Sequence, residues 1–200
     1  MNNSWIITGA NTQTNGAYGG HNIAIADGLI CEAATSAMRP FDGSGLIAMP
    51  GLIDLHGDGF ERHIAPRNGV EFDLETALLA TDRELISNGI TTAYLAMTIS
   101  WEPGLRSLER AREIVSTLKK VQSRCSCELR LQLRWEIFAL EAIADIESWL
   151  DMDPAPTLAF NDHLSAILTG MKPHILAKNA DRSGVSVQDY TARLIALKAR

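Results

Sequence analysis

The chain has 200 residues, a net charge of −6 and a pI near 5.3, a balance that argues against a nucleic-acid or anionic-membrane surface. Its 46% hydrophobic and 21% charged residues are typical of a globular protein. No run approaches the roughly 20 apolar residues of a membrane span, and the first residues lack the pattern of a signal peptide. The three cysteines are expected to be reduced thiols, so we predict a cytoplasmic location.

The first part of the chain reads as short strands separated by Gly and Asn. Strands are predicted at 5–8, 22–26, 29–33 and 46–49, with Asp27-Gly28 as a hairpin signal between the second and the third. This unit is too small to be a complete sandwich. We interpret residues 1–49 as the amino-terminal part of a small β-sandwich.

The pattern changes at Pro50, after which strands and helices alternate. Strands are predicted at 52–56, 90–98, 128–138 and 157–161, and helices at 73–87, from Pro103 onward, at 141–150 and at 187–200. This alternation predicts a parallel sheet with crossover helices, an α/β fold. A TIM-type β/α barrel needs eight such units and about 250 residues. We expect residues 50–200 to form the first half of such a barrel in a longer protein, with an open half-barrel as the alternative.

The first barrel strand carries a candidate metal site. The stretch Met-Pro-Gly-Leu-Ile-Asp-Leu-His-Gly-Asp ends in His56 and Asp58. In a regular strand, side chains two positions apart project from the same face, so the imidazole and the carboxylate converge, and Asp54 shares that face. One nitrogen and one oxygen ligand at a strand end suit a divalent metal such as zinc.

The third barrel strand alternates between apolar and polar residues. Its apolar positions are Leu129, Leu131, Leu133, Trp135 and Ile137, and its polar positions are Arg130, Gln132, Arg134 and Glu136. In an open antiparallel sheet the polar face would simply meet water, whereas in a parallel sheet it needs partners, which a barrel interior supplies. Glu136 then becomes a candidate metal ligand, and Arg134 a candidate substrate-binding cation.

The fourth strand and the loop after the first strand carry further candidates. His163 is predicted as a metal ligand or general base, with helix capping as the alternative, and Asp162 as the partner that orients an imidazole. His63 and Arg67 lie in a loop that could bind an anionic substrate, with a solvated loop as the rival interpretation. His174 is predicted to lie in a surface loop.

In combination these motifs resemble the amidohydrolase superfamily, whose members place a small β-sandwich before the barrel. Met-Pro-Gly-Leu-Ile-Asp-Leu-His56 resembles the first barrel strand of that superfamily. Most members have His-x-His, whereas this chain has His56-x-Asp58. That variant, together with the Glu61-to-Arg67 loop, Gly89-Ile-Thr-Thr, the polar positions of the third strand and Asp162-His163, is similar to the PhnM-type family of the carbon–phosphorus lyase pathway.

The resemblance implies a metal-dependent hydrolase that uses a metal-activated water to remove pyrophosphate from a ribose 1-alkylphosphonate 5-triphosphate. It implies a divalent metal, zinc first, with manganese or iron as alternatives. The remaining ligands of the superfamily come from later strands, so this chain alone is expected to lack the complete site. The implied roles are metal binding for His56, Asp58 and Glu136, catalysis for His163 and Asp162, and substrate binding for Arg67, Arg134 and His63.

One segment departs from the PhnM pattern. After Asp-His the family continues with Pro-Gly-Gln-Arg, whereas this chain has Leu164-Ser-Ala-Ile-Leu-Thr-Gly170. An amidohydrolase that cleaves a C–N bond of a cyclic amide or a related substrate is therefore the alternative, and a non-catalytic half-barrel module is a second one. The expected partner is an anionic small molecule, with no nucleic acid and no membrane. The sequence leaves the oligomeric state open, a homo-oligomer included.

Overall fold

The computed structural model describes residues 4–14, 17–164 and 172–198, and the chain forms two compact units, Met1–Pro50 and Gly51–Arg200. The first unit holds two small sheets with the strand orders β5-β4-β1-β6 and β3-β2-β7. Their strands are β1 Trp5–Thr8, β2 Asn11–Thr14, β3 Ala17–Gly20, β4 Ile23–Ala26, β5 Leu29–Cys31, β6 Arg39–Asp42 and β7 Ile47–Ala48. The face-to-face packing of a β-sandwich stays a prediction.

The second unit is built on a curled sheet of four parallel strands in the order β11-β10-β9-β8. The strands are β8 Leu52–Gly57, β9 Ile90–Ile99, β10 Glu128–Glu136 and β11 Thr157–Asn161. Each strand pairs with its neighbour in sequence, and helices form the connections between them. The predicted parallel half-barrel is therefore confirmed.

Six helices accompany this sheet in the described part of the chain. They are α1 Glu61–Ile64, α2 Leu74–Ser87, α3 Leu108–Val121, α4 Ile143–Leu150, α5 Pro173–Arg182 and α6 Val187–Lys198. Asp73 caps α2 as predicted, because its carboxylate accepts the backbone N–H of Thr76 at 2.9 Å. None of these described helices has the length and apolar character needed to cross a membrane.

Some local predictions in this unit are wrong. The helix expected to open at Pro103 begins at Leu108, after a short 3-10 turn, because the hydroxyl of Ser107 accepts the N–H of Arg110 at 3.2 Å and caps it. His174 lies in helix α5 rather than in a loop. Pro173 is the first residue of that helix, a position where its missing N–H costs nothing.

The core lies between the sheet and helices α2, α3 and α4. Alternate residues of β9 and β10 enter it, and Leu133 and Ile99 are fully buried there. Helix α3 contributes one apolar side, formed by Leu108, Ala111, Ile114, Val115, Leu118 and Val121. The remaining residues of β9 and β10 lie on the opposite, inner face of the sheet, which therefore carries the polar positions predicted for the barrel interior.

Candidate active site

Strand β8 reaches the candidate site through a β-bulge. Leu55 and His56 together lie opposite the single residue Tyr94 of β9, and the flanking register pairs are Asp54–Ala93 and Gly57–Leu95. Because Ala93 and Leu95 belong to the helix-side core, Asp54 lies on that side. The prediction that Asp54 and His56 share a face is therefore wrong, because one extra residue reverses the alternation.

His56 lies on the inner face of the sheet. Its Nδ1 contacts Oε1 of Gln132, and Nε2 of Gln132 donates to the backbone oxygen of Leu55 at 3.3 Å. The amide of Gln132 thus spans from β10 to the bulge. The structure places this predicted metal ligand beside the middle of β10, not beside its end.

Asp58 lies just beyond the end of β8 and is exposed. Burial opposes the charge of Arg106, but the carboxylates of Glu61, Glu102 and Asp58 outweigh that effect and raise the pKa of the guanidinium. Glu61 holds Arg106 with two hydrogen bonds of 2.8 and 3.2 Å. Asp58 therefore belongs to a charge cluster around Arg106.

Glu136 and His163 meet at the carboxyl ends of β10 and β11. Glu136 is 4% exposed, its Oε1 lies 2.5 Å from Nδ1 of His163, and its Oε2 accepts the backbone N–H of His163 at 3.2 Å. Asp162, the neighbour of His163 in sequence, is exposed. The structure thus brings together two of the predicted site residues from separate strands.

The predicted metal ligands do not form one cluster in the described part of the chain. Gln132, which contacts His56, precedes Glu136 by four positions on the same face of β10, a span of roughly 13 Å along a strand. Among residues 4–14, 17–164 and 172–198, no three His, Cys, Asp or Glu side chains are arranged to hold a metal ion. These residues alone therefore do not fit a metal centre, and the ligand roles of His56, Asp58 and Glu136 stay predictions.

His63 lies in helix α1 rather than in the predicted loop, and both His63 and Arg67 lie apart from Arg134. The imidazole of His63 lies 2.5 Å from Oε2 of Glu84 on helix α2, and this hydrogen bond, with the nearby Arg62, lowers the pKa of Glu84. Arg67 borders a separate cleft that also contains Asp58 and Asp181. The structure therefore does not bring the three predicted substrate-binding residues to one place.

The main cleft, of about 580 Å³, opens where β9, β10 and β11 end and is bordered by helix α5. Arg134, Glu136 and His163 line it, as the sequence predicted for residues at these strand ends. It also contains Thr98, Glu102, Lys172 and Arg182, which sequence reasoning missed. Of these four residues, only Glu102 could have been predicted from the sequence, since it follows β9 at the same edge of the sheet as Glu136.

Glu102 is a buried carboxylate whose partners are already in place. Nη2 of Arg182 lies 2.7 and 2.8 Å from its two oxygens, and the hydroxyl of Tyr190 donates to Oε1 at 2.5 Å. Burial, together with this bond to a carboxylate, raises the pKa of Tyr190. The network fastens helices α5 and α6 to the end of β9 and so fixes one wall of the main cleft.

No protein-family model matches the chain, but a comparison with curated proteins finds a relative in sequence. The chain is 28% identical over 148 residues to the alpha-D-ribose 1-methylphosphonate 5-triphosphate diphosphatase of Escherichia coli (strain K12). The matched region covers 71% of this chain and 39% of that protein. The chain thus spans well under half the length of this curated relative.

Solved structures with a similar fold include dihydropyrimidinase from Brevibacillus agri NCHU1002, with a TM-score of 0.50 and 14% identity, covering 98% of this chain and 50% of that one. The chain resembles the amidohydrolase superfamily. The resemblance predicted from the sequence is therefore confirmed, and the proteins that the chain resembles are hydrolytic enzymes. The likeness to dihydropyrimidinase shows the barrel fold alone.

A second solved structure is the beta-aspartyl dipeptidase of Fervidobacterium islandicum AW-1 in complex with a beta-Asp-Leu dipeptide. Its TM-score is 0.49 and its identity 20%, covering 90% of this chain and 49% of that one.

The segment in which this chain departs from the PhnM pattern lies largely outside the described residues, since 165–171 are not among them.

Proposed function

We propose that this chain is part of a metal-dependent hydrolase that cleaves a phosphoanhydride bond of an anionic sugar triphosphate. The observation that carries the proposal is the 28% identity, over 148 residues, to a diphosphatase that acts on a ribose 5-triphosphate. The main cleft adds support, because it is lined by Arg106, Arg134, Lys172 and Arg182 at the edge of the sheet where barrel enzymes hold their substrates.

In this proposal His163 is the general base. Nδ1–H of His163 donates a hydrogen bond to Oε1 of Glu136 in this arrangement, which leaves Nε2 as the free acceptor of the ring. His163 lines the main cleft and its side chain is 63% exposed, so water has access to Nε2. Glu136 is then the residue that fixes the tautomer, and His163 the residue that takes a proton from the attacking water.

The proposal includes a divalent metal, zinc first, with manganese or iron as alternatives, because members of the superfamily generally depend on one. When bound, such a metal lowers the pKa of a water molecule and stabilises charge on phosphoryl oxygens. His56, Asp58 and Glu136 are the ligands that the sequence predicts, but His56 lies beside Gln132, roughly 13 Å along β10 from Glu136, so the three cannot all bind one ion. Metal analysis of the purified protein after supplementation tests this part separately from turnover.

The decisive experiment measures which bond is cleaved. The experiment uses the complete hydrolase of which this chain is proposed to be part, because the chain alone is expected to lack some of the ligands. Supplemented with zinc or manganese, this protein is incubated with a ribose 5-triphosphate compound, with a nucleoside 5′-triphosphate, with dihydrouracil and with a β-aspartyl dipeptide. We expect pyrophosphate release from the triphosphates and no product from the other two substrates. Ring opening or amine release without pyrophosphate would identify a C–N hydrolase instead, and protein that is folded, metal-free and inactive would support the non-catalytic module.

Glu136→Gln tests whether Glu136 positions the general base His163. The amide cannot stabilise a protonated imidazole, so we expect a loss of about 10²-fold or more in kcat with little change in KM. The matched control is Glu113→Gln on the exposed side of α3, which should leave kcat unchanged. Full turnover by Glu136→Gln would remove the Glu136–His163 pair from the mechanism.

A further inference from the structure

Thr98 presents a buried hydroxyl group to the main cleft. The residue is 5% exposed and lines the cleft, and its Oγ1 has no hydrogen-bond partner in the part of the chain that the structure describes. A buried hydroxyl without a partner costs stability, because it has lost its hydrogen bonds to water. A buried hydroxyl that faces a cleft without a partner indicates that an atom of a bound ligand forms the missing hydrogen bond.

Arg134 lies next to Thr98. The two residues are register partners on β9 and β10, and because paired residues of parallel strands point to the same side, both project from the inner face. Within the described ranges, the side chain of Arg134 has neither a hydrogen bond nor an ion pair. The carboxylates of the cleft are already engaged, Glu102 by Arg182 and Glu136 by His163.

Helix α5 begins at the same cleft. Its N-cap is Lys172, which makes no side-chain capping bond, its first residue is Pro173, and its first turn contains no acidic residue. Lys172 is exposed and lines the cleft, and it has no ion pair with any other described residue. The positive end of the helix dipole and the ammonium group therefore add to the charge of Arg134.

We propose that Thr98, Arg134 and Lys172 form a binding site for a phosphoryl group. Every free group in this set is a hydrogen-bond donor or a cation, and a phosphoryl group supplies several acceptor oxygens and the opposite charge. The planar guanidinium of Arg134 binds two of these oxygens, while the hydroxyl of Thr98 donates to one of them. The choice of a phosphoryl group rests on the proposed function, whereas the site itself rests on the unpartnered Thr98 and Arg134.

This site differs from the anion-binding loop that the sequence predicted. His63 of that loop is bound to Glu84, and Arg67 borders a different cleft. The proposed site instead lies beside the Glu136–His163 pair, because all of these residues line the same cleft. A phosphoryl group held by Arg134 would therefore lie next to the proposed general base.

The test is calorimetric titration of the full chain with inorganic pyrophosphate at low ionic strength. We expect binding by the unaltered protein, and affinity reduced at least about tenfold by Arg134→Gln and several-fold by Thr98→Val and by Lys172→Gln. The control is Lys120→Gln, which removes one exposed charge from helix α3 and should leave the affinity unchanged. Succinate, titrated in parallel, should bind at least about tenfold more weakly, since a carboxylate offers fewer acceptor oxygens.

Thermal unfolding separates binding from folding. In the absence of anion, Thr98→Val should unfold at the same or a higher temperature than the unaltered protein, because valine removes a buried polar atom that has no partner. Added pyrophosphate should raise the unfolding temperature of the unaltered protein more than that of Thr98→Val.

Three results would overturn the proposal: no binding of millimolar pyrophosphate, equal affinity in Arg134→Gln and in the unaltered protein, or preference for succinate. Failure of the proposed function is a different observation. Pyrophosphate that binds through Arg134 to a protein without phosphoanhydride hydrolysis would leave the site in place and remove the hydrolase. Hydrolysis that is unaffected by Arg134→Gln and by Thr98→Val would instead support the hydrolase and exclude the proposed phosphoryl site.

Discussion

Strand β10 has two faces that differ in how well their groups are satisfied. On the helix side, Leu129, Leu131 and Leu133 are 1%, 3% and 0% exposed and pack into the core. On the inner side, Gln132 contacts His56 and Glu136 contacts His163, while Arg134 has no partner within the described residues. One face is closed by contacts within the chain, and the other still offers polar groups to a ligand.

This difference indicates that the helix side contributes mainly to stability and the inner side mainly to ligand binding. Apolar contacts on the helix side contribute to folding with no ligand present, since burial of apolar surface needs no partner other than the chain itself. On the inner side, Arg134 has no partner among the described residues and contributes fully only when something binds. Mutations on the two faces of one strand should therefore separate the free energy of unfolding from ligand affinity.

The largest effect on unfolding is expected at Leu133. Leu133→Ala leaves a cavity in a fully buried position and should lower the free energy of unfolding by about 2–5 kcal/mol. Its neighbour Arg134 faces the other way, so Arg134→Ala should change the same quantity by less than about 1 kcal/mol. Urea denaturation measures both, and equal losses in the two variants would contradict the division between the faces.

A smaller effect is expected at Asp82, a polar group that the helix side does satisfy. The carboxylate is 1% exposed, and its Oδ1 accepts the backbone N–H groups of Ser126 and Cys127 at 2.8 and 2.7 Å, which ties helix α2 to the start of β10. Asp82→Ala leaves these donors without an acceptor and should cost about 1–3 kcal/mol.

Asp82→Asn is the matched control, because the amide oxygen can still accept both bonds. It should cost less than Asp82→Ala in the same urea titration. If the two variants are equally destabilised, the loss comes from the negative charge rather than from the two hydrogen bonds.

The last expected effect is a dependence on pH at Cys127, which is seen only in alkaline solution. Burial, with a further contribution from the charge of Asp82, raises the pKa of this thiol to about 11, whereas an unfolded cysteine titrates near 8.5. The unfolded chain therefore loses its proton first. The stabilising contribution is complete below about pH 8.5 and is lost as the pH rises through the folded pKa, by at most about 1.4 kcal/mol per pH unit.

Cys127→Val removes the titrating group and keeps the site apolar. The free energy of unfolding of this variant should fall less between pH 8 and pH 10.5 than that of the unaltered protein. Parallel pH profiles of the two proteins would show that Cys127 does not remain protonated in the folded state.

Local signals explain what could be predicted from the sequence. The cap at Asp73 and the strand Thr157–Asn161 lie where the sequence predicts them, because capping and β-branched or aromatic residues act within a few positions. Strand β2, with the sequence Asn-Thr-Gln-Thr, was missed because it has no apolar alternation, and β6 because Pro40 is atypical of strands. Strand β6 forms through pairing with the distant β1, and β2 pairs with the distant β7 as well as with its neighbour β3. No local pattern encodes the distant pairings.

The candidate site was predictable only in part for the same reason. Glu136 and His163 were found because each ends a recognisable strand. Thr98 gave no signal, since threonine is ordinary in a strand and only the three-dimensional structure shows its hydroxyl without a partner. Lys172 reaches the cleft from a helix whose position depends on the Glu102 network, which joins residues far apart in sequence.

The bulge in β8 has a practical consequence for protein engineering. If this strand were grafted residue by residue onto an idealised barrel, Asp54 could keep its orientation only if His56 turned toward the helices, away from Gln132. Deleting Leu55 from the graft would preserve both orientations, because the shortened strand would then alternate regularly from Asp54 through His56 to Gly57.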